Sequence, residues 1–266
     1  MKTFKLTSFL LLCLGWPHQA IWNPNKMGMA LAFAASSAPK LELRYFDIRG
    51  AAETARIILA AGGEPFLDTR FAIKPGSFEA PEFQAAKEAG VLKMNLNRAP
   101  VLLVKDDDNE TVIGQSRAIE RFLAKRFGIM GGNPIEEAQI DCIAEHCRDV
   151  KDSAMRKGFS RFVKDKSDEE KAALRKEWFE TDMPSLLDRI NACVLEISTC
   201  EGYAVGSTLS YADIALFALL CDVPETDAED TKKAYETCDV LKAIVEQVKS
   251  NEKIGKYLTN RPVTMF

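Results

Sequence analysis

The first residues with a clear period are 40–46, KLELRYF, where apolar and polar side chains alternate and so predict a short strand with one buried face. In AAETARIILAAG, 51–62, Ala55, Ile58, Leu59 and Gly62 recur at helical spacing, and Gly62-Gly63 stops the helix. EPFLDTRFAI (64–73) reads as a second strand, and PGSFEAPEFQAAKEAG (75–90) as a loop leading into a short helix. APVLLV (99–104) and ETVIG (110–114) flank the acidic turn KDDDN and predict a hairpin. QSRAIERFLAKRFG closes this half as an amphipathic helix ending at Gly128. The order is βαβα then ββα, which predicts one mixed sheet with helices packed on it.

Past the turn GIMGGNP (128–134) no strand pattern appears, and the second half reads as all-α. Pro134 and two glutamates open a helix of about six turns, as a helix's first turn favours. Ser167 and Glu170 stand in capping-box spacing ahead of one long helical stretch, 167–198, and Ser210 with Asp213 repeats the box ahead of YADIALFALL. That last segment is apolar nearly all round and predicts a buried central helix. The expected organisation is a leader, 1–38, an α/β domain, 39–128, and an all-helical domain, 129–266.

Charge separates the leader from the rest. It carries Lys2, Lys5 and Lys26 and no acid; without these three the 35 basic residues number 32 against 39 acidic ones, a net charge of −7. Such a balance argues against a nucleic-acid or anionic-membrane partner. MKTFKLTSFLLLCLGW has a basic start and an apolar run of roughly ten residues, signal-peptide size and too short to span a bilayer. NKMGMALAFAASSAPK is acid-free and rich in small residues, and it resembles the second half of the bipartite plastid leaders of algae with complex plastids. Three readings stand: a plastid leader, a secretory signal, or an extension absent from a cytoplasmic protein started at Met27 or Met29. Six cysteines beyond the leader, none in CxxC spacing, favour buried free thiols in a reducing compartment over a disulfide framework, which sets secretion last.

Histidine is nearly absent, with only His146 beyond the leader, so a multi-histidine metal site is excluded and no metal is expected. Three other places can carry chemistry. Tyr45 lies where a strand ends and a helix begins, next to unpaired helix amides. Ala99-Pro100 at the head of a strand is a candidate cis peptide whose exposed backbone could pair with an extended peptide; a trans proline starting an edge strand is the plainer alternative. Gln115-Ser116 at a helix N-terminus suits a carboxylate, or Ser116 is simply the cap. The acidic turn KDDDN lacks the glycine and distal glutamate of a calcium loop and reads as solvated.

Taken together, LELRYFDIRGAAETARIILAAGG, RAPVLLV, IGQSRAIERFLAKRFG, LSYADIALF and YLTNRPVTMF resemble, in that order, the soluble glutathione S-transferases, most of all the sigma class that includes glutathione-dependent prostaglandin D synthase. The resemblance spans residues 40–266. It implies a thioredoxin-like N-terminal domain, a helical C-terminal domain, a homodimer, and glutathione as co-substrate with a small apolar electrophile. It implies that Tyr45 donates to the glutathione sulfur, that backbone beside Ala99 and Pro100 pairs with the cysteinyl unit, and that Gln115 and Ser116 receive the γ-glutamyl carboxylate. Asp149 would face the partner subunit's glutathione amine; a solvated helix position is its alternative. The second pocket would involve Phe46, the long helix from Arg148 to Phe159, and the tail. Sigma members carry arginine where this chain has Ala51, with Arg49 the candidate substitute. Their loop tryptophan and lysine are also missing, leaving Lys87, Lys93 and above all Arg98 for the glycyl carboxylate. Conjugation is the leading expectation, with isomerisation or non-catalytic ligand binding as alternatives.

Overall fold

The structure, a computed structural model, describes residues 40–77, 79–106 and 109–264; the expected leader, 1–38, and the middle of the acidic turn lie outside the described residues. Pro39–Phe266 forms one compact unit. Four strands, β1 (Lys40–Phe46), β2 (Phe66–Phe71), β3 (Val101–Asp106) and β4 (Asn109–Gly114), make one sheet in the order β2-β1-β3-β4. β1 and β2 run parallel, joined by α1 (Glu53–Gly62), and the β3 and β4 pairings are antiparallel. The alternation along β1 sorts its faces. Leu41, Leu43 and Tyr45 enter a core shared with Ile57 and Ile58 of α1 and with Ile119 and Leu123 of α3 (Ser116–Arg126). On the opposite face Phe46 meets Phe71 of β2 and Phe83 of α2 (Pro81–Glu88), with ring centroids 6.1 and 4.8 Å away.

The helical half follows. α4 (Pro134–Lys157) begins at Asn133, whose side chain accepts from the Ile135 and Glu136 amides. After α5 (Asp168–Glu177) and α6 (Met183–Ile197), α7 (Tyr211–Leu220) runs through the middle with all ten residues buried, against α4 and α9 (Asp239–Ser250). α8 (Glu225–Ala234) and α10 (Glu252–Asn260) complete the order. Both expected capping boxes are present.

Three expectations are corrected. The helix expected from residue 51 begins at Glu53, because Gly50, at φ +42°, and the two alanines after it form a 3-10 turn. The single helix expected over 167–198 is interrupted at Trp178–Asp182 by a π turn in which the Met183 amide reaches back to the Trp178 carbonyl. Pro184 is the physical reason: it has no N–H to give the carbonyl four residues earlier. All six cysteines of the described residues are free, but only Cys147 and Cys238 are buried, whereas Cys142 and Cys193 are exposed. Among the described residues no helix is long and apolar enough to cross a membrane.

Candidate active site

The strand registers gather the sequence candidates at one end of the sheet. Arg44 of β1 lies opposite Val101 of β3, and Val101 lies opposite Gly114 of β4. Tyr45, the Ala99-Pro100 peptide and Gln115 each adjoin one of those three paired residues, so one rung of the sheet aligns them. The Ala99-Pro100 bond is cis.

Tyr45 is 8% exposed, its ring packed edge-on against Phe46 at 5.4 Å. Its hydroxyl oxygen accepts a hydrogen bond of 3.1 Å from the Ala51 amide in the turn that leads into α1. With the oxygen held by an incoming donor, the phenol's own hydrogen is left to give elsewhere. Gly50 makes the room: a Cβ there would fall 2.7 Å from that oxygen. The guanidinium of Arg56, fully buried on α1, stands 5.9 Å from the centre of the same ring.

Gln115 occupies the cap position of α3 at φ +68°, and no side chain caps the helix; the reading of Ser116 as a plain cap is therefore wrong, since Ser116 is the first helical residue. Its hydroxyl and the Gln115 side-chain amide make no hydrogen bond among the described residues, and they stand beside first-turn amides that no helical carbonyl can reach. Arg98 and Lys93 are exposed and make no ion pair among the described residues, whereas the Lys87 ammonium lies 5.7 Å from the centre of the Phe83 ring. This end of the sheet thus offers a buried phenol, free helix amides with two free polar side chains, and two free cations, an arrangement suited to an extended anionic peptide that brings its reacting atom to Tyr45.

Known proteins place the chain in a family. A family model described as "Glutathione S-transferase, C-terminal domain" matches residues 153–261. A curated relative, "Probable glutathione S-transferase 8" of Caenorhabditis elegans, is 31% identical over 231 residues, covering 85% of this chain and 98% of the relative. This chain belongs to the glutathione S-transferases. The solved structure of a Nu-class glutathione S-transferase from Haemonchus contortus is similar to it with a TM-score of 0.70 at 28% identity, covering 86% of this chain and all of the other. A Fasciola hepatica sigma class enzyme gives 0.66 at 25% identity, covering 86% of this chain and 99% of the other. The N-terminal mixed sheet and helical C-terminal domain are those of the family, and sigma class is one of several classes among its relatives.

In this glutathione S-transferase Asp149, exposed on α4, makes no hydrogen bond or ion pair with Tyr45, Gln115, Ser116 or any other of the described residues. Arg49 does not replace the arginine missing at Ala51: its guanidinium is bound to Asp222 at 2.9 Å and to the Val223 carbonyl at 3.3 Å, just past α7. Phe159 turns toward the helical core, its ring 6.2 Å from that of Trp178, while Met155 on α4 is exposed.

Sequence reasoning missed the charges beneath Tyr45. Arg56 bonds Asp68, the Ile48 carbonyl and Glu53; Glu53 in turn accepts from Tyr257 and from Arg261 at 2.7 Å, and Arg261 also meets Asp222 at 3.0 Å. Burial and the Glu53 carboxylate push Asp222 above the usual carboxylate range although Arg261 and Arg49 pull the other way. The signal was an arginine on the apolar face of α1 with a glutamate three residues before it, which only a buried pair explains.

Proposed function

We propose that the enzyme conjugates glutathione to electrophilic apolar substrates, with Tyr45 holding the glutathione sulfur as thiolate. Glutathione lies along the sheet end, its cysteinyl backbone beside Ala99 and Pro100, its γ-glutamyl carboxylate at Gln115 and Ser116, and its glycyl carboxylate toward Arg98. The phenol hydrogen, donated to sulfur, favours S⁻ over S–H, and a thiol that titrates near 8.5 when free is then ionised at neutral pH. The thiolate attacks an electrophilic carbon, a C–S bond forms, and the leaving group departs with the electrons of its bond. The observation that carries this reading is the Ala51 amide bonded to the Tyr45 oxygen, because it leaves the phenol hydrogen free to meet a sulfur. A sigma-like arrangement is part of the proposal, with two copies associating and Asp149 serving the partner's glutathione amine.

The test is conjugation of glutathione to an aryl halide. Tyr45→Phe should lower kcat/KM by about tenfold or more, the scale of one hydrogen bond to a charged partner. An unchanged rate would remove Tyr45 from the reaction. In the dimer, Asp149→Asn should raise the KM for glutathione severalfold and leave kcat nearly unchanged.

A further inference from the structure

Among the described residues three that are not glycine adopt left-handed backbone angles: Leu96 at φ 51°, Asn97 at 59° and Gln115 at 68°. Each such conformation costs on the order of 1 kcal/mol or more and persists only where the surroundings over-determine it. Leu96 and Asn97 belong to the turn that delivers the chain to Ala99-Pro100. Gln115 begins α3, far along the sequence. Both segments meet at one side chain, Asn95.

Asn95 is 4% exposed. Its Nδ2 donates to the Pro100 carbonyl at 2.8 Å, and its Oδ1 accepts from the Gln115 amide at 3.1 Å. Its own carbonyl accepts from the Arg98 amide at 3.0 Å, closing the turn. Gly114 lets the segments approach: a Cβ there would fall 2.8 Å from Asn95 Cβ and 2.8 Å from the Met94 carbonyl oxygen. The two partners fix the chemistry of the position. Pro100 offers only an acceptor and the Gln115 amide only a donor, so the bridge needs one donor and one acceptor on a short planar group. Aspartate lacks the donor and leucine lacks both.

We propose that Asn95 is a positioning residue that sets the spacing between the backbone beside Ala99 and the Gln115-Ser116 end of α3, and so makes the site selective for thiols that carry a γ-glutamyl group. The proposal rests on the glutathione reading above. With both halves tied to one amide, a ligand must span a fixed distance from its cysteinyl backbone to its γ-glutamyl carboxylate. Without the tie, Gln115 loses the partner of its amide, and the directions of its side chain and of the Ser116 hydroxyl drift relative to the strand.

The experiment compares kcat/KM for two thiol donors, glutathione and cysteinylglycine, which lacks the γ-glutamyl unit, in wild type, Asn95→Ala and Asn95→Asp, with melting temperatures alongside. Wild type should prefer glutathione. Asn95→Ala should reduce that preference by about tenfold, the loss expected when a buried hydrogen-bond bridge to a charged-ligand site is removed, mainly through a higher KM for glutathione. Asn95→Asp, nearly isosteric and therefore the safer variant to fold, keeps the acceptor for Gln115 but turns an oxygen toward the Pro100 carbonyl, and should fall between the two. An undiminished preference in either folded variant overturns the proposal. So does a loss that is equal for both donors and accompanied by a lower melting temperature, because that is a structural role alone. A wild type that does not prefer glutathione overturns the glutathione reading itself, before any variant is made.

Discussion

The Tyr45 hydroxyl depends on its neighbours' backbone more than on their side chains. The residue at 51 is alanine, yet it supplies the donor to the phenol oxygen through its amide, and Gly50 supplies the space. Gly50→Ala should therefore cost roughly 1 kcal/mol of stability for its left-handed backbone and, by displacing the phenol, lower kcat/KM by about tenfold, measured by melting and by aryl-halide conjugation. Arg49→Ala gives the contrasting outcome: the KM for glutathione should stay within about twofold while stability falls by about 1–3 kcal/mol, because its partner is Asp222. Tyr45, Pro100 and Gln115 were legible in the sequence because strand ends, prolines before strands and helix starts leave local marks. Asn95 was not, since its meaning comes from the Pro100 carbonyl and the Gln115 amide, and for Arg56 only the Glu53 partner is local while Asp68 lies a strand away.

Helices and strands carry their own pH dependence. Asp213, in the α7 capping box, accepts from the Ala204 and Ser210 amides at 2.6 and 2.7 Å, and burial pushes its carboxyl up to about 6 despite those bonds. A folded value above the unfolded one means that its share of stability is full below the unfolded value and declines as pH rises toward about 6. Asp213→Ala should destabilise by about 3 kcal/mol at neutral pH, since two buried amides lose their acceptor. Glu42 on β1 behaves oppositely. Burial would raise it, but hydrogen bonds from Arg44, Lys105 and Thr69 win and hold it at about 2. Its contribution is present above the ordinary glutamate value of 4.5 and lost as pH falls toward about 2, so acid titration of Glu42→Gln should show a shallower decline across that window. Capping boxes are written in adjacent residues, which is why both were read correctly. The π turn at Trp178–Asp182 was overlooked because the apolar spacing continues through it and Pro184 alone marks it.

At the scale of the molecule, the sheet half and the helical half are joined by charge as well as by apolar packing. Asp222 beyond α7 binds Arg49 from the N-terminal half and Arg261 from the tail, while Tyr211 at the head of α7 donates to Glu120 of α3 at 2.6 Å. Asp222→Ala would leave two largely buried guanidinium groups without this carboxylate and should lower stability by about 3 kcal/mol, read from urea unfolding. Two exposed apolar side chains on the turn before β3, Met94 and Leu96, at 67% and 77%, are what the proposed association of two copies would cover. Sedimentation of the folded chain should give twice the monomer mass, and Leu96→Glu should shift it toward the monomer. The division into a mixed-sheet half and a helical half was plain in the sequence because strand periods alternate with helical ones up to residue 128 and no strand period returns after it. The charged link between them was not, since Arg49 and Asp222 are 173 residues apart.

The same link sets an order of events during synthesis. The first half of the chain leaves the ribosome with its strands and α1 already specified, but Glu53 waits for Tyr257 and Arg261, 204 and 208 residues further along. A nascent chain halted before residue 257 would carry Tyr45 on a nearly finished sheet above a buried carboxylate still missing two of its partners. Completion of the active end is thereby tied to the emergence of α10 and the residues after it rather than to the emergence of the domain that contains it.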